Sequence, residues 1–325
     1  MGHGSFDTTS SAARASVRAS TGVDAFAHTR AVRAGTAAPL HDTLDLTKKP
    51  RRECRDNEDN PEAVPIAVMV DVTGSMGATA GLIIDSLNKA VSVIQGKGAV
   101  PHPAILFGAI GDATCDTTPI QVGEFESSDE LAENHLANIY KEGGGGGQTM
   151  ESYELAMWFF ANQVDTDHWE KRGSKGFLFL IGDESPYPRV KAHEVLKHCG
   201  TTLEEDIALK TIADKLQERW HVFVLRPGGT SYDHDPNIRQ VWTNVLPVER
   251  VIDVDDWHEI TSMIAGTVSV MSGLSLDDTI AAMSSVGLRT NGTSTALATI
   301  ADSASLVTAS STDLADADTA GAVRV

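Results

Sequence analysis

The chain has 325 residues, 41% of them apolar, and carries 45 acidic against 26 basic side chains for a formal charge of −19. That length allows one large domain with tails or two small domains, and the apolar share supports a substantial core. The acidic balance argues against general nucleic-acid binding and favours basic or cationic partners.

The charge is unevenly spread. Residues 1–55 hold nine Lys/Arg and five Asp/Glu, so a basic arm precedes a body of about −23. The three cysteines, Cys54, Cys115 and Cys199, are far apart and form no Cys-x-x-Cys pair. A disulfide framework is therefore not expected, and a reducing compartment is. No window approaches the roughly 20 apolar residues that span a bilayer, and no apolar leader opens the chain. The expected location is the cytoplasm.

Residues 1–62 are rich in Ala, Ser, Thr and Arg, then in charge, with little sustained periodicity. They read as a mostly extended arm and linker ending near Pro61 and Pro65. From there, strand-length apolar runs alternate with helical patterns. Strands are expected over residues 66–71, 104–111, 176–182, 220–225 and 248–253, with an alternating edge strand over 119–125. Helices are expected over 77–95, 128–141, 150–163, 203–219, 236–246 and 256–272. Such alternation predicts an α/β fold, doubly wound and Rossmann-like, with a mainly parallel central sheet and helices on both faces. Residues 273–325 turn to Ala, Ser, Thr and Asp, with Arg289 and Arg324 as their cations. Apart from one short helix over 277–288, they read as a low-complexity tail, mobile or docked on a partner. The division expected is thus an arm over 1–62, a domain over 63–272 that folds without arm or tail, and a tail over 273–325.

In a sheet of this kind ligands bind beyond the carboxyl ends of the strands. Asp71-Val72-Thr73-Gly74-Ser75 stands at such an end. Its carboxylate and two hydroxyls alternate, so they share a face of an extended segment. Asp183 follows the run Phe177–Ile181, and Thr149 follows five consecutive glycines, Gly143 to Gly147, whose backbone freedom allows close approach to an ion. Carboxylates and hydroxyls together make an oxygen-only donor set, the chemistry that a hard cation such as Mg²⁺ prefers.

These three separated pieces, in this order, resemble the von Willebrand factor A (vWA) family and its metal-ion-dependent adhesion site. The family pattern is Asp-x-Ser-x-Ser, then Thr after a glycine-rich loop, then Asp after a later strand. The resemblance covers about residues 64–272. It implies a site for Mg²⁺ or Mn²⁺ at Asp71, Thr73, Ser75, Thr149 and Asp183. Ser75, Thr149 and Thr73 would touch the ion or its waters, and Asp71 and Asp183 would hold coordinated waters. It also implies that a partner's Asp or Glu displaces a metal-bound water, and that the chain is a binding module rather than an enzyme. Intracellular relatives serve as adaptors for AAA+ ATPases of the MoxR class, which makes such an ATPase a candidate partner. Two departures stand out. Thr73 replaces the commoner Ser, and Gly182-Asp183-Glu184 replaces the usual Thr-Asp-Gly. Asp112 and Asp116 are expected near the rim rather than as ligands.

Three other motifs fail on spacing. The glycine run lacks the Gly-Lys-Ser/Thr ending of a phosphate loop. Thr73 stands where a nucleophile elbow needs glycine. His193 and His198 are five apart, where a zincin helix needs four, which rotates the second ring by about 100°. Alternatives to the adaptor are an assembly component of a phage-like or other large particle, an RNA-associated vWA protein, and last a metal-assisted hydrolase with Glu184 as base.

Overall fold

The computed structural model describes residues 3–21, 26–143 and 149–303, without the side chains of Ser75, residues 77–80 and Ile84. The elements run α1 (Thr8–Thr21), α2 (Ala27–Arg33), β1 (Arg52–Cys54), β2 (Val64–Asp71), α3 (Gly77–Ile94), β3 (Pro103–Ile110), β4 (Ile120–Val122) and α4 (Asp129–Ala137). Then come β5 (Met150–Glu151), α5 (Tyr153–Asn162), β6 (Val164–Thr166), α6 (Asp167–Glu170), β7 (Gly176–Ile181), β8 (Ser185–Pro186), β9 (Arg189–Val190) and α7 (Ala192–Cys199). The chain continues through β10 (Ile207–Ala208), α8 (Leu209–Arg219), β11 (Trp220–Pro227), α9 (Pro236–Thr243), β12 (Val251–Val254), α10 (Ile260–Met271) and α11 (Leu276–Ser285).

The central sheet has six strands in the order β12-β11-β7-β2-β3-β4. All are parallel except β4, which pairs antiparallel with β3 at one edge. Alternate residues of each strand feed two cores. Ile66, Val68 and Val70 face the layer of α3 and α10, while Ala67 and Met69 face that of α5 and α8. A strand covered on both sides must be apolar at every position, which is why β2, β3 and β7 read as unbroken hydrophobic runs. The doubly wound α/β fold expected from the alternation is the one observed. From β2 the chain steps one way to β3 and later the other way to β7, so the order reverses between β2 and β7. That crevice is where such sheets hold ligands.

The arm is not extended, which corrects the sequence expectation. α1 lies across α3 and α4 through polar groups. Arg14 pairs with Asp129 and Glu133, Arg18 with Glu133 and Asp85, and the Ser11 hydroxyl donates to Glu133 at 2.6 Å. Phe26, Leu44 and Leu46 are buried in the two cores. β1 pairs parallel with β6. Beside it the buried Arg52 guanidinium donates to the carbonyls of Val122 and Gly123, each at 2.7 Å. The tail is corrected in the same way up to residue 303. α11 and a further helical stretch over 293–303 bury Met283, Leu297 and Ile300 against the α10 layer. Residues 304–325, and the glycine loop over 144–148, lie outside the described residues.

Two helices start later than their patterns predict. Residues 203–206 are irregular because Asp206 caps α7, accepting from Ala192 N at 2.9 Å, and Ile207–Ala208 pairs with β9. Met150–Glu151 is extended because it pairs parallel with β8. Among the described residues no helix is long and apolar enough to cross a membrane.

Candidate metal centre

Asp71 ends β2, level with Ile110 of β3 and one residue past the Val70–Ile181 pair with β7. It is fully buried. Its Oδ1 accepts from Thr73 N at 2.8 Å and from Thr73 Oγ1 at 2.6 Å. This Asx-type turn curls the chain out of the strand towards α3. Its Oδ2 accepts from the Tyr153 hydroxyl at 3.1 Å, at the start of α5. Gly182 makes room for that contact. A Cβ there would stand 1.9 Å from the Tyr153 hydroxyl and 2.9 Å from Asp71 Cβ. Asp183 follows, 1% exposed, and its Oδ2 accepts from Tyr232 N at 3.1 Å. The Tyr232 turn is itself held by Arg226, which donates to the carbonyls of Tyr232 and Asp235 and pairs with Asp253 on β12.

Thr149 is exposed on the same sheet edge, its carbonyl accepting from Ser185 N at 3.1 Å. One segment on, Ser152 N donates to the Gly111 carbonyl and Ser152 Oγ accepts from Ala113 N. The loops after β2, β3 and β7 therefore meet at one edge. Asp71, Thr73 and Asp183 come together there with the Thr149 backbone beside them. The side chain of Ser75 lies outside the described residues. Asp112, expected near the rim, is instead buried, its carboxylate accepting from Thr114 and from the Tyr187 hydroxyl at 3.1 Å. Asp116 turns inward to accept from Asp112 N.

The edge concentrates negative charge. Burial pushes the Asp71 carboxyl up to about 6, and Asp183 adds to the rise against the hydrogen bonds from Thr73 and Tyr153. Burial pushes Glu184 up to about 8, with Asp71, Asp183 and Asp112 adding. Glu151 rises to about 10, again through burial first and then through Asp71, Glu184, Asp112 and Asp116. Glu151 is 1% exposed, and its Oε2 has no hydrogen-bond partner among the described residues. The Glu184 Oε2 is likewise unpartnered. The largest charge effects on these three groups, among the described residues, come from acids. A hard divalent cation fits this chemistry. Among the described residues no three His, Cys, Asp or Glu side chains converge as a ligand group.

The carboxyls of Asp71, Glu151 and Glu184 hold protons in the folded chain at pH values where the unfolded chain has lost them. Their stabilising effect is complete below the unfolded values near 4 and fades as pH rises through about 6, 8 and 10. Urea unfolding in EDTA should show stability falling between pH 5 and 8 by about 1 kcal/mol per pH unit for each of these groups that still holds its proton. A flat profile would contradict the placement of these groups.

Sequence reasoning missed Tyr153, Glu151 and Arg226. Glu151 carried a signal, since it shares the parity of Thr149 in an extended segment. The Tyr153–Gly182 pairing carried none, because the two residues meet only in space.

Neither family profiles nor curated protein sequences match this chain. Solved structures that resemble it include the pilus adhesin SpaC of Lactobacillus rhamnosus GG in its open conformation. That pair is 14% identical with a TM-score of 0.45, covering 66% of this chain and 31% of the adhesin. A von Willebrand factor type A protein from Catenulispora acidiphila is 12% identical with a TM-score of 0.36, over 65% of this chain and 43% of that one. Manganese-loaded TRAP protein of Plasmodium vivax is 14% identical with a TM-score of 0.33, over 62% and 71%. This chain thus spans under a third of the SpaC chain.

Proposed function

We propose that this chain is a vWA-like binding domain that holds Mg²⁺ or Mn²⁺ at Asp71, Thr73, Ser75, Thr149 and Asp183 and captures a partner protein through it. One observation carries the reading. Two buried carboxylates, Asp71 and Asp183, stand at the switch-point crevice beside a hydroxyl and a buried oxygen of Glu151 that has no partner among the described residues. Bound there, the ion would supply a Lewis-acid contact for a carboxylate of the partner. The protein groups do the positioning. Tyr153 and Thr73 fix both oxygens of Asp71, and the Tyr232 amide fixes one of Asp183. Thr149 stands exposed, where a partner can reach it. The partner suggested by the resemblance is a AAA+ ATPase of the MoxR class, in the cytoplasm. We read the domain as an adaptor and not an enzyme.

Melting the full chain in EDTA and in Mg²⁺ or Mn²⁺ tests the ion. Selective binding to the folded state adds about 2.7 kcal/mol at a hundredfold excess over Kd. Thr149→Ala should weaken Mn²⁺ binding by at least about tenfold, some 1.4 kcal/mol. It should leave the EDTA melt unchanged, because the side chain is exposed. Coincident melts in EDTA and Mg²⁺, with no heat on Mn²⁺ titration, would remove the proposal. Pull-downs in Mg²⁺ then separate adaptor from hydrolase. Metal-bridged capture is lost in Thr149→Ala and kept in Glu184→Gln, whereas a hydrolase using Glu184 as base keeps binding and loses turnover by about 10²–10⁴-fold.

A further inference from the structure

The opposite end of the sheet has the reverse electrostatics. A cavity of about 380 Å³ opens where β2, β7 and β11 begin and α10 ends. Its polar lining includes His168, Lys175 and His221, and its apolar lining includes Val100, Phe177 and Met271. β7 starts beside Lys175 and ends beside Asp183, so its six residues separate the cavity from the acidic edge by about 20 Å.

Lys175 and the neighbouring Arg250 form no ion pair among the described residues, although the chain has 45 acids for 26 bases. Other inward-facing cations do find carboxylates, as Arg226 does with Asp253 and Arg172 with Asp56. The Lys175 ammonium donates to the Gln217 carbonyl at 2.6 Å, which uses one of its three protons. The Arg250 guanidinium lies 4.4 Å over the Phe223 ring, and its Nη1 reaches only the Met271 thioether, a weak acceptor, at 3.2 Å. The buried Nδ1 of His168 has no partner among the described residues. The nearby acids do not neutralise the group. Glu218 acts on Lys175, Glu249 on Arg250, and Asp56 and Glu62 on His168, none closely enough to pair with Lys175 or Arg250. Burial lowers the His221 ring to about 3, and Arg250, Lys175 and His168 lower it further. The pocket thus offers one cationic head, Lys175, and two imidazoles beside an apolar wall, with the Arg250 guanidinium next to it behind Met271.

We infer that this cavity binds a small organic oxyanion, a carboxylate or phosphate carried on a short apolar body. The oxyanion would take the free donors of Lys175 and the N–H group of His221, and the body would lie along Val100, Phe177 and Met271.

Calorimetry on the metal-free full chain at constant ionic strength tests it, with n-butyl phosphate, butanoate and n-butanol as probes. Saturable binding of at least one anion is expected, with none of the alcohol; whichever anion binds identifies the head group. Lys175→Met should weaken that binding about tenfold or more, and Lys175→Arg should restore it. A melt of each variant checks that the fold is intact. Binding of neither anion would overturn the inference, as would equal binding by a folded Lys175→Met variant.

Discussion

Replacing Gly182 by alanine is expected to destabilise the chain by about 2–5 kcal/mol, although the added group is one methyl. The cause is space and not backbone strain, since Gly182 has an ordinary φ. The new Cβ would fall 1.9 Å from the Tyr153 hydroxyl and 2.9 Å from both Tyr153 Cζ and Asp71 Cβ. The tyrosine is fully buried and edge-on to Trp242 at 5.2 Å, so it has little room to retreat. Any retreat breaks the 3.1 Å bond to Asp71. Overpacking costs about 1–3 kcal/mol, and a lost hydrogen bond to a buried carboxylate about as much again. Tyr153→Phe alone removes the bond and the nearest clashing atom, the hydroxyl, but leaves the 2.9 Å approaches of Tyr153 Cζ and Asp71 Cβ. The double variant should therefore cost less than the two single losses added together, a coupling of at least about 1 kcal/mol. Urea unfolding of the four proteins in EDTA measures it, and additive losses would disprove the lock. The same geometry accounts for the departure at this position. A threonine at 182, as the resemblance expects, is incompatible with the Tyr153 hydroxyl.

Legibility followed the kind of interaction. β2, β3 and β7 were legible because a strand buried on both faces reads as an unbroken apolar run, and β11 because its centre, Val222–Leu225, does the same. The placement of Asp71 and Asp183 on one sheet edge was legible because each stands at the end of such a run. α1 was not, because it docks by Ser11, Arg14 and Arg18 against acids of α4 and α3, so no apolar stripe marks it. Arg52 misled for a related reason. In a run of charged residues it reads as solvated linker, yet its guanidinium is 1% exposed and spends its donors on carbonyls beside β4. The tail misled through its small residues. Leu297 and Ile300 are spaced for one helix face, but too few large side chains surround them to give a periodic signal.

Deleting residues 1–62 is expected to cost at least about 3 kcal/mol, a large share of the roughly 5–15 kcal/mol that holds a domain together. This reverses the expectation, drawn from composition, that residues 63–272 fold unaided. Phe26 and Leu44 are 0% exposed and Leu46 is 1% exposed. Burying three such side chains contributes about 5–9 kcal/mol gross, an upper figure because unfolded chains bury some apolar area too. Ordering the arm offsets part of that gain. Deletion also removes the donors that Arg52 gives to Val122 and Gly123, and leaves the acids of α4 without Arg14 and Arg18. Equilibrium unfolding of residues 63–303 against the full chain measures the loss. Because the shortened chain can aggregate, Phe26→Ala and Leu46→Ala in the full chain supply an independent reading, each expected to cost about 2–5 kcal/mol. Losses under about 1 kcal/mol in both point variants would show that the arm rests on the domain without supporting it, and the division at residue 62 would stand.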